Sequence, residues 1–268
     1  MPKKSFTRFI KRHPFFYLTR FRLLSQNGNE QSMADINFNS NNPKTEIPAY
    51  FKVINDIIFM GGTFTDDLDN LKKLSVWLHD HIPGGPGLSK PSEEALRLML
   101  AGKGGVCSDM AQIFNNFCVL NDLEIREWGT TRAPFDPVYG GHSFNEVFCK
   151  ELDQWVMVDV YYCLLFYSET QKPLSVMEFF DAQRRGNSIS VECFKEGMRV
   201  DDMALERNYF QKSTIPFLIC NYSNRTYDRC LKLAPKIVPV FVIHFWIYLL
   251  RKSYYYLFPL DRFQRIFS

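Results

Sequence analysis

The sequence predicts an α+β fold in which the helices come first and an antiparallel sheet follows. Apolar residues recur at helical spacing in four successive stretches up to Leu120. The period then changes, and the stretches from Ile125 to Tyr162 are rich in β-branched and aromatic residues. Breaks rich in Gly, Pro and Asn separate these segments. A chain of 268 residues, 46% of them apolar, can bury one substantial core.

Taken in order, residues 26–44 are rich in Asn, Ser, Gln and Gly without helical periodicity and mark a linker. The domain starts near Ile47. Helices are predicted over Tyr50–Met60 and Asp66–His81, the second from Leu68, Leu71, Leu74 and Leu78, with residues 82–87 ending it. A third runs from Ser92, as cap, to about Leu100, with Glu93 and Glu94 at its positive end. Gly102, Gly104 and Gly105 permit a tight approach before a fourth helix, Cys107–Leu120. Strands are expected at Ile125–Arg132, Ser143–Lys150 and Gln154–Tyr162, the last two joined as a hairpin by Glu151, Leu152 and Asp153. Residues 178–210 suggest further helix or irregular structure packed on the domain. The expected organisation is a basic aromatic arm and polar linker at 1–46, a domain at 47–210, and a basic, aromatic extension at 211–268.

The 32 basic and 29 acidic residues leave a formal charge of +3, which calls for no nucleic-acid partner. Seven cysteines without CxxC pairs argue against a disulfide framework and a structural zinc site and fit a reducing compartment; neither a metal nor a cofactor is expected. The N-terminus lacks the apolar core and cleavage site of a secretory signal, so a cytoplasmic location is expected. Residues 1–24 mix Lys3, Lys4, Arg8, Lys11, Arg12, Arg20 and Arg22 with many aromatic rings, and Ile237–Leu250 is apolar except for His244. The second run is shorter than the roughly 20 residues a spanning helix needs. Two expectations stand for these ends: peripheral docking on the inner face of a membrane, or plain packing on the domain.

Cys107 falls at a helix N-terminus, where peptide dipoles and free amides favour a thiolate and the oxyanion it would create. His142 follows Gly140 and Gly141 and opens a strand, and Asp159 lies late in the next one, so pairing through the hairpin can bring imidazole and carboxylate together. The expected catalytic residues are therefore Cys107 as nucleophile, His142 as base and Asp159 as its orienter. The other six cysteines read as small core residues, and His13, His79, His81 and His244 have no motif around them. Trp77 reads as core, from its spacing with Leu74 and Leu78.

Three blocks also resemble a known family. Gly104-Gly105-Val106-Cys107-Ser108-Asp109-Met110-Ala111, with Ser92-Glu93-Glu94 before it, is similar to the segment entering the nucleophile helix of the transglutaminase-like superfamily of papain-like thiol enzymes. His142-Ser143-Phe144-Asn145-Glu146-Val147-Phe148 resembles its His-x-Trp-x-Glu-Val strand, and Gln154-Trp155-Val156-Met157-Val158-Asp159 its Trp-x-x-Asp strand. Order and spacing agree over Asp66–Tyr162, as in a single-domain member of bacterial type. The resemblance implies a papain-like fold, catalytic places for Cys107, His142 and Asp159, and a structural place for Glu146. Phe144 departs from the family's Trp, and no calcium-loop signature is present. The expected function is hydrolysis of an amide or ester in a protein, peptide or other substrate through an acyl-enzyme. The alternatives are acyl transfer to an amine acceptor and a non-catalytic binding or scaffold module.

Overall fold

The computed structural model describes residues 14–63, 65–234, 238, 240–250 and 255–268. Helix α1 (Pro14–Leu24) leads into strand β1 (Ser25–Asn27) and a single-turn helix, α2 (Glu30–Met33). Four longer helices follow: α3 (Ala49–Ile58), α4 (Asp67–His81), α5 (Ser92–Leu100) and α6 (Cys107–Leu120). The strands β2 (Glu124–Arg132), β3 (His142–Cys149), β4 (Gln154–Asp159) and β5 (Leu164–Tyr167) come next. Helix α7 (Val176–Arg185), strand β6 (Ser190–Cys193) and the short helix α8 (Asp202–Leu205) continue the chain. A π-helical turn over Glu206–Phe210 then leads to strand β7 (Thr214–Cys220), helices α9 (Asn224–Leu233) and α10 (Val240–Leu249), and strand β8 (Tyr255–Phe258).

These strands form one sheet in the order β1-β8-β7-β2-β3-β4-β5-β6. It is mixed, not purely antiparallel as expected, because β1 runs parallel to β8 at one edge. Side chains alternate between its faces. Val147, Cys149, Val156 and Val158 join Phe51, Leu71, Phe114 and Phe117 from the early helices in one core. Phe144, Met157 and Trp128 point to the other face and join Phe166, Phe179, Phe180 and Tyr209. Each such fully buried side chain contributes roughly 1.5–3 kcal/mol. Helix α6 lies deep in the first layer, with every residue from Ile113 to Leu120 buried. Its polar Asn115 and Asn116 are therefore held by protein partners, Glu127 and Asn224 among them.

Several expectations change. Ser92 is not the cap of α5 but its first residue, and Asp228 of α9 supplies the acceptor instead: Ser92 N donates to Oδ1 at 2.8 Å and Ser92 Oγ to Oδ2 at 2.5 Å. The third predicted strand stops at Asp159, because Tyr161 and Tyr162 turn back to donate their amides to its carboxylate. Strand β6 lies in the stretch expected to be helical or irregular. The boundaries drawn at 46 and 210 coincide with no break in the sheet: β1, β7 and β8 all belong to it, and β7 pairs directly with β2. No described helix is long and apolar enough to cross a membrane. The membrane-docking expectation for residues 1–13 falls outside the described residues, as do residues 237 and 239 of the apolar C-terminal run.

Candidate functional site

Backbone geometry ahead of α6 sets the position of Cys107. Gly104 (φ +148°) and Gly105 (φ +125°) adopt conformations that side chains rarely tolerate, and Gly105 N donates to Pro86 O at 3.0 Å. A Cβ on Gly104 would stand 2.4 Å from Pro86 O, so only glycine admits this approach. Asp109, in the first turn, accepts from the amides of Val106 at 3.0 Å and Leu88 at 3.2 Å, tying the turn to the preceding loop. The helical ladder begins with Met110 N donating to Val106 O. The amides of Cys107, Ser108 and Asp109 thus stand ahead of it, at the electropositive end of the helix.

The register of the sheet brings in the other two groups. Asn145 of β3 pairs with Val158 of β4, so extending the ladder one step sets Asp159 opposite Phe144. His142 lies two residues from Phe144 along β3, on the same face and diagonal to Asp159. Its Nε2 meets Asp159 Oδ2 at 2.8 Å, and the ring lines the same cavity as the Cys107 thiol. With Nε2 turned to the acid, Nδ1 is the nitrogen left for the sulfur. All three predicted residues come together: Asp159 fully buried, His142 nearly so, and Cys107 partly exposed.

Asp159 is held on both oxygens. Oδ1 accepts the amides of Tyr161 (2.9 Å) and Tyr162 (3.1 Å), while Oδ2 accepts from Tyr209 Oη at 2.6 Å besides the imidazole. The His142 ring stacks against Phe144 and Tyr162 and meets Tyr209 edge-on at 5.5 Å. Burial by itself would lower the imidazole pKa. The charges of Asp159 and Cys107, with the hydrogen bond to Asp159, outweigh it and raise the ring to about 10. Such surroundings favour an imidazolium facing a sulfur.

Glu146 occupies the structural place that the resemblance implies. It is buried, accepting from Trp128 Nε1 (3.1 Å) and Arg126 Nη1 (3.4 Å) on Oε2, and from the amide of Val176 at the start of α7 (2.8 Å) on Oε1. It braces two strands and a helix beneath the site. Trp77 packs partly buried and stacks on His81, apart from the cavity. Of the other cysteines, Cys118, Cys149, Cys163 and Cys220 are buried, and burial pushes their thiols up. Cys193 and Cys230 are only partly buried.

Cys107 and His142 open onto a cavity of about 510 Å³. Its wall includes residues that had no motif to mark them. Glu127 of β2 lies along it, buried, its Oε2 accepting from Gln112 Nε2 (2.7 Å) and Asn115 Nδ2 (2.8 Å) of α6. Burial lifts this carboxyl to about 7, against the pull of the two amide donors. The wall also includes Tyr227, Arg20 of α1 and His244 of α10. His244 bonds Tyr227 Oη at 2.9 Å, and burial, with the charge of Arg20 next, pushes its pKa down. Its neutral ring is part of the cavity wall, although no motif in the sequence marked it. Tyr209, in the π-helical turn, is the other contributor that local pattern does not mark. Among the described residues no group of three or more His, Cys, Asp or Glu is arranged to hold a metal ion.

No family model matches the chain, and no curated protein does. Among solved structures, it is similar to one from Cytophaga hutchinsonii described as a candidate cysteine protease. That likeness has 14% identity and a TM-score of 0.33, and it covers 53% of this chain and 46% of the other.

Proposed function

We propose that this chain is a thiol hydrolase of the transglutaminase-like type, acting on an amide or ester through an acyl-enzyme at Cys107. The observation that carries this is the placement of Cys107 at a helix N-terminus, on the same cavity as the His142 ring, whose Nε2 meets Asp159 Oδ2 at 2.8 Å. The thiolate attacks the carbonyl carbon, and the carbonyl oxygen takes the electron pair. The amide of Cys107 donates to that oxyanion, in the field of α6. His142 gives its proton to the leaving amine or alcohol as the bond to carbon breaks, leaving a thioester. Water then attacks the thioester while His142 takes its proton. Collapse releases the acid and returns the proton to the pair. Asp159 holds the ring orientation throughout, and the amides of Tyr161 and Tyr162 and the Tyr209 hydroxyl hold Asp159 in turn.

Alkylation by iodoacetamide at neutral pH tests this. Cys107 is expected to react at least tenfold faster than the other six cysteines, and His142→Ala to abolish most of that advantage. Equal labelling across the cysteines would remove the catalytic assignment.

A further inference from the structure

Of the two carboxyl side chains on the cavity beside Cys107, Glu127 and Asp109, Glu127 is the buried one, and the chemistry above does not use it. Glu127 is 3% exposed, on the face of the sheet against which α6 packs. Gln112 and Asn115 both donate to Oε2, while Oε1 takes no hydrogen bond from either, and Glu127 lines the cavity. Among the described residues no cation is hydrogen-bonded to it. A carboxylate this deep gains most from a positively charged donor, because a charge-assisted hydrogen bond is about twice as strong as a neutral one and restores what burial removes.

We propose that Glu127 binds a protonated primary amine of the substrate, so that Cys107 acts on short acyl groups ending in a free amino terminus. The inference rests on the thiol-hydrolase assignment and names its substrate class. Position sets the length. Gln112, which holds Glu127, lies five residues beyond Cys107 on α6, or roughly 7.5 Å along the axis. An extended peptide covers at most about 3.3–3.6 Å per residue, so roughly two residues separate the amine from the scissile carbonyl. Tyr222, Tyr227, Arg20 and His244 also wall this cavity. Arg20 on the same wall repels an ammonium, and the other carboxyl, Asp109, is tied to the amides of Val106 and Leu88, which favours Glu127 as the partner.

The test uses two thiol-directed probes on the full-length protein: alanyl-alanyl chloromethyl ketone with a free amine, and the same compound acetylated on nitrogen. In each, the Cys107 thiolate displaces chloride and forms a thioether. The free-amine probe is expected to alkylate Cys107 at least tenfold faster, and Glu127→Gln to bring the two rates within about twofold, with folding checked by thermal melting. Equal rates in the parent protein would overturn the proposal, whether or not the variant folds. So would a preference that survives Glu127→Gln. Iodoacetamide on the parent separates the two levels: selective labelling of Cys107 without an amine preference sinks this inference alone, whereas no selective labelling sinks the thiol chemistry beneath it.

Discussion

At the scale of single residues, the charge state of His142 governs the site. Its raised pKa has two sources of charge, Asp159 and Cys107, working against burial. A group whose folded pKa lies above its unfolded value adds stability that is fully present below the unfolded value. For His142 that contribution is whole below about pH 6.5 and is lost as pH climbs toward about 10. Asp159→Asn removes the largest favourable charge, leaving Cys107 alone to oppose burial. NMR titration of the ring is expected to show proton loss near pH 10 in the parent and at clearly lower pH in the variant. An unchanged titration would mean that the carboxylate does not control the ring. The helix start at Cys107 and the contact of His142 with Asp159 were legible beforehand, since a helix start and a hairpin are short-range features. Glu127 and Tyr209 were not. The first sits in a strand whose buried carboxylate looks locally like any polar position, and the second reaches Asp159 from 50 residues away.

At the scale of elements, the periodic helices α3 to α6 and the three strands β2 to β4 lie where apolar spacing places them, with ends shifted by a few residues. The cap of α5 shows why ends resist local inference. Ser92 has the chemistry of a cap, yet Asp228 arrives from α9 with both oxygens and displaces it to the first helical position. Asp228→Ala is therefore expected to lower stability by about 1–2 kcal/mol, the usual cost of a lost helix cap or a charged hydrogen bond. Glu93→Ala, which removes only an exposed pair with Arg97, is expected to cost at most about 0.5 kcal/mol. Urea denaturation of both variants measures the difference, and similar midpoints would show that Asp228 is no more than a surface contact.

At the scale of the whole molecule, the chain ends complete the sheet and the cavity. β7 lies between β8 and β2, and Arg20, His244 and Tyr256 reach the cavity from segments near either terminus. A chain ending at residue 210 would expose the full edge of β2 and strip Ile215, Phe217 and Leu218 from the two cores. Such a truncation is expected to lose cooperative unfolding, as followed by circular dichroism through a thermal melt. A trimmed protein that melts cooperatively and still labels at Cys107 would show that the later strands are dispensable. The sequence by itself determined the α+β order, the early helices, the hairpin and the three residues that meet around it, because each depends on neighbours within a turn or a strand. Only the tertiary structure decided that β1, β7 and β8 join the sheet, that Asp228 caps α5, and that Glu127 and Tyr209 reach the site. Strand partners and buried polar contacts are chosen by total burial and hydrogen-bond satisfaction across the folded chain, which no local pattern encodes.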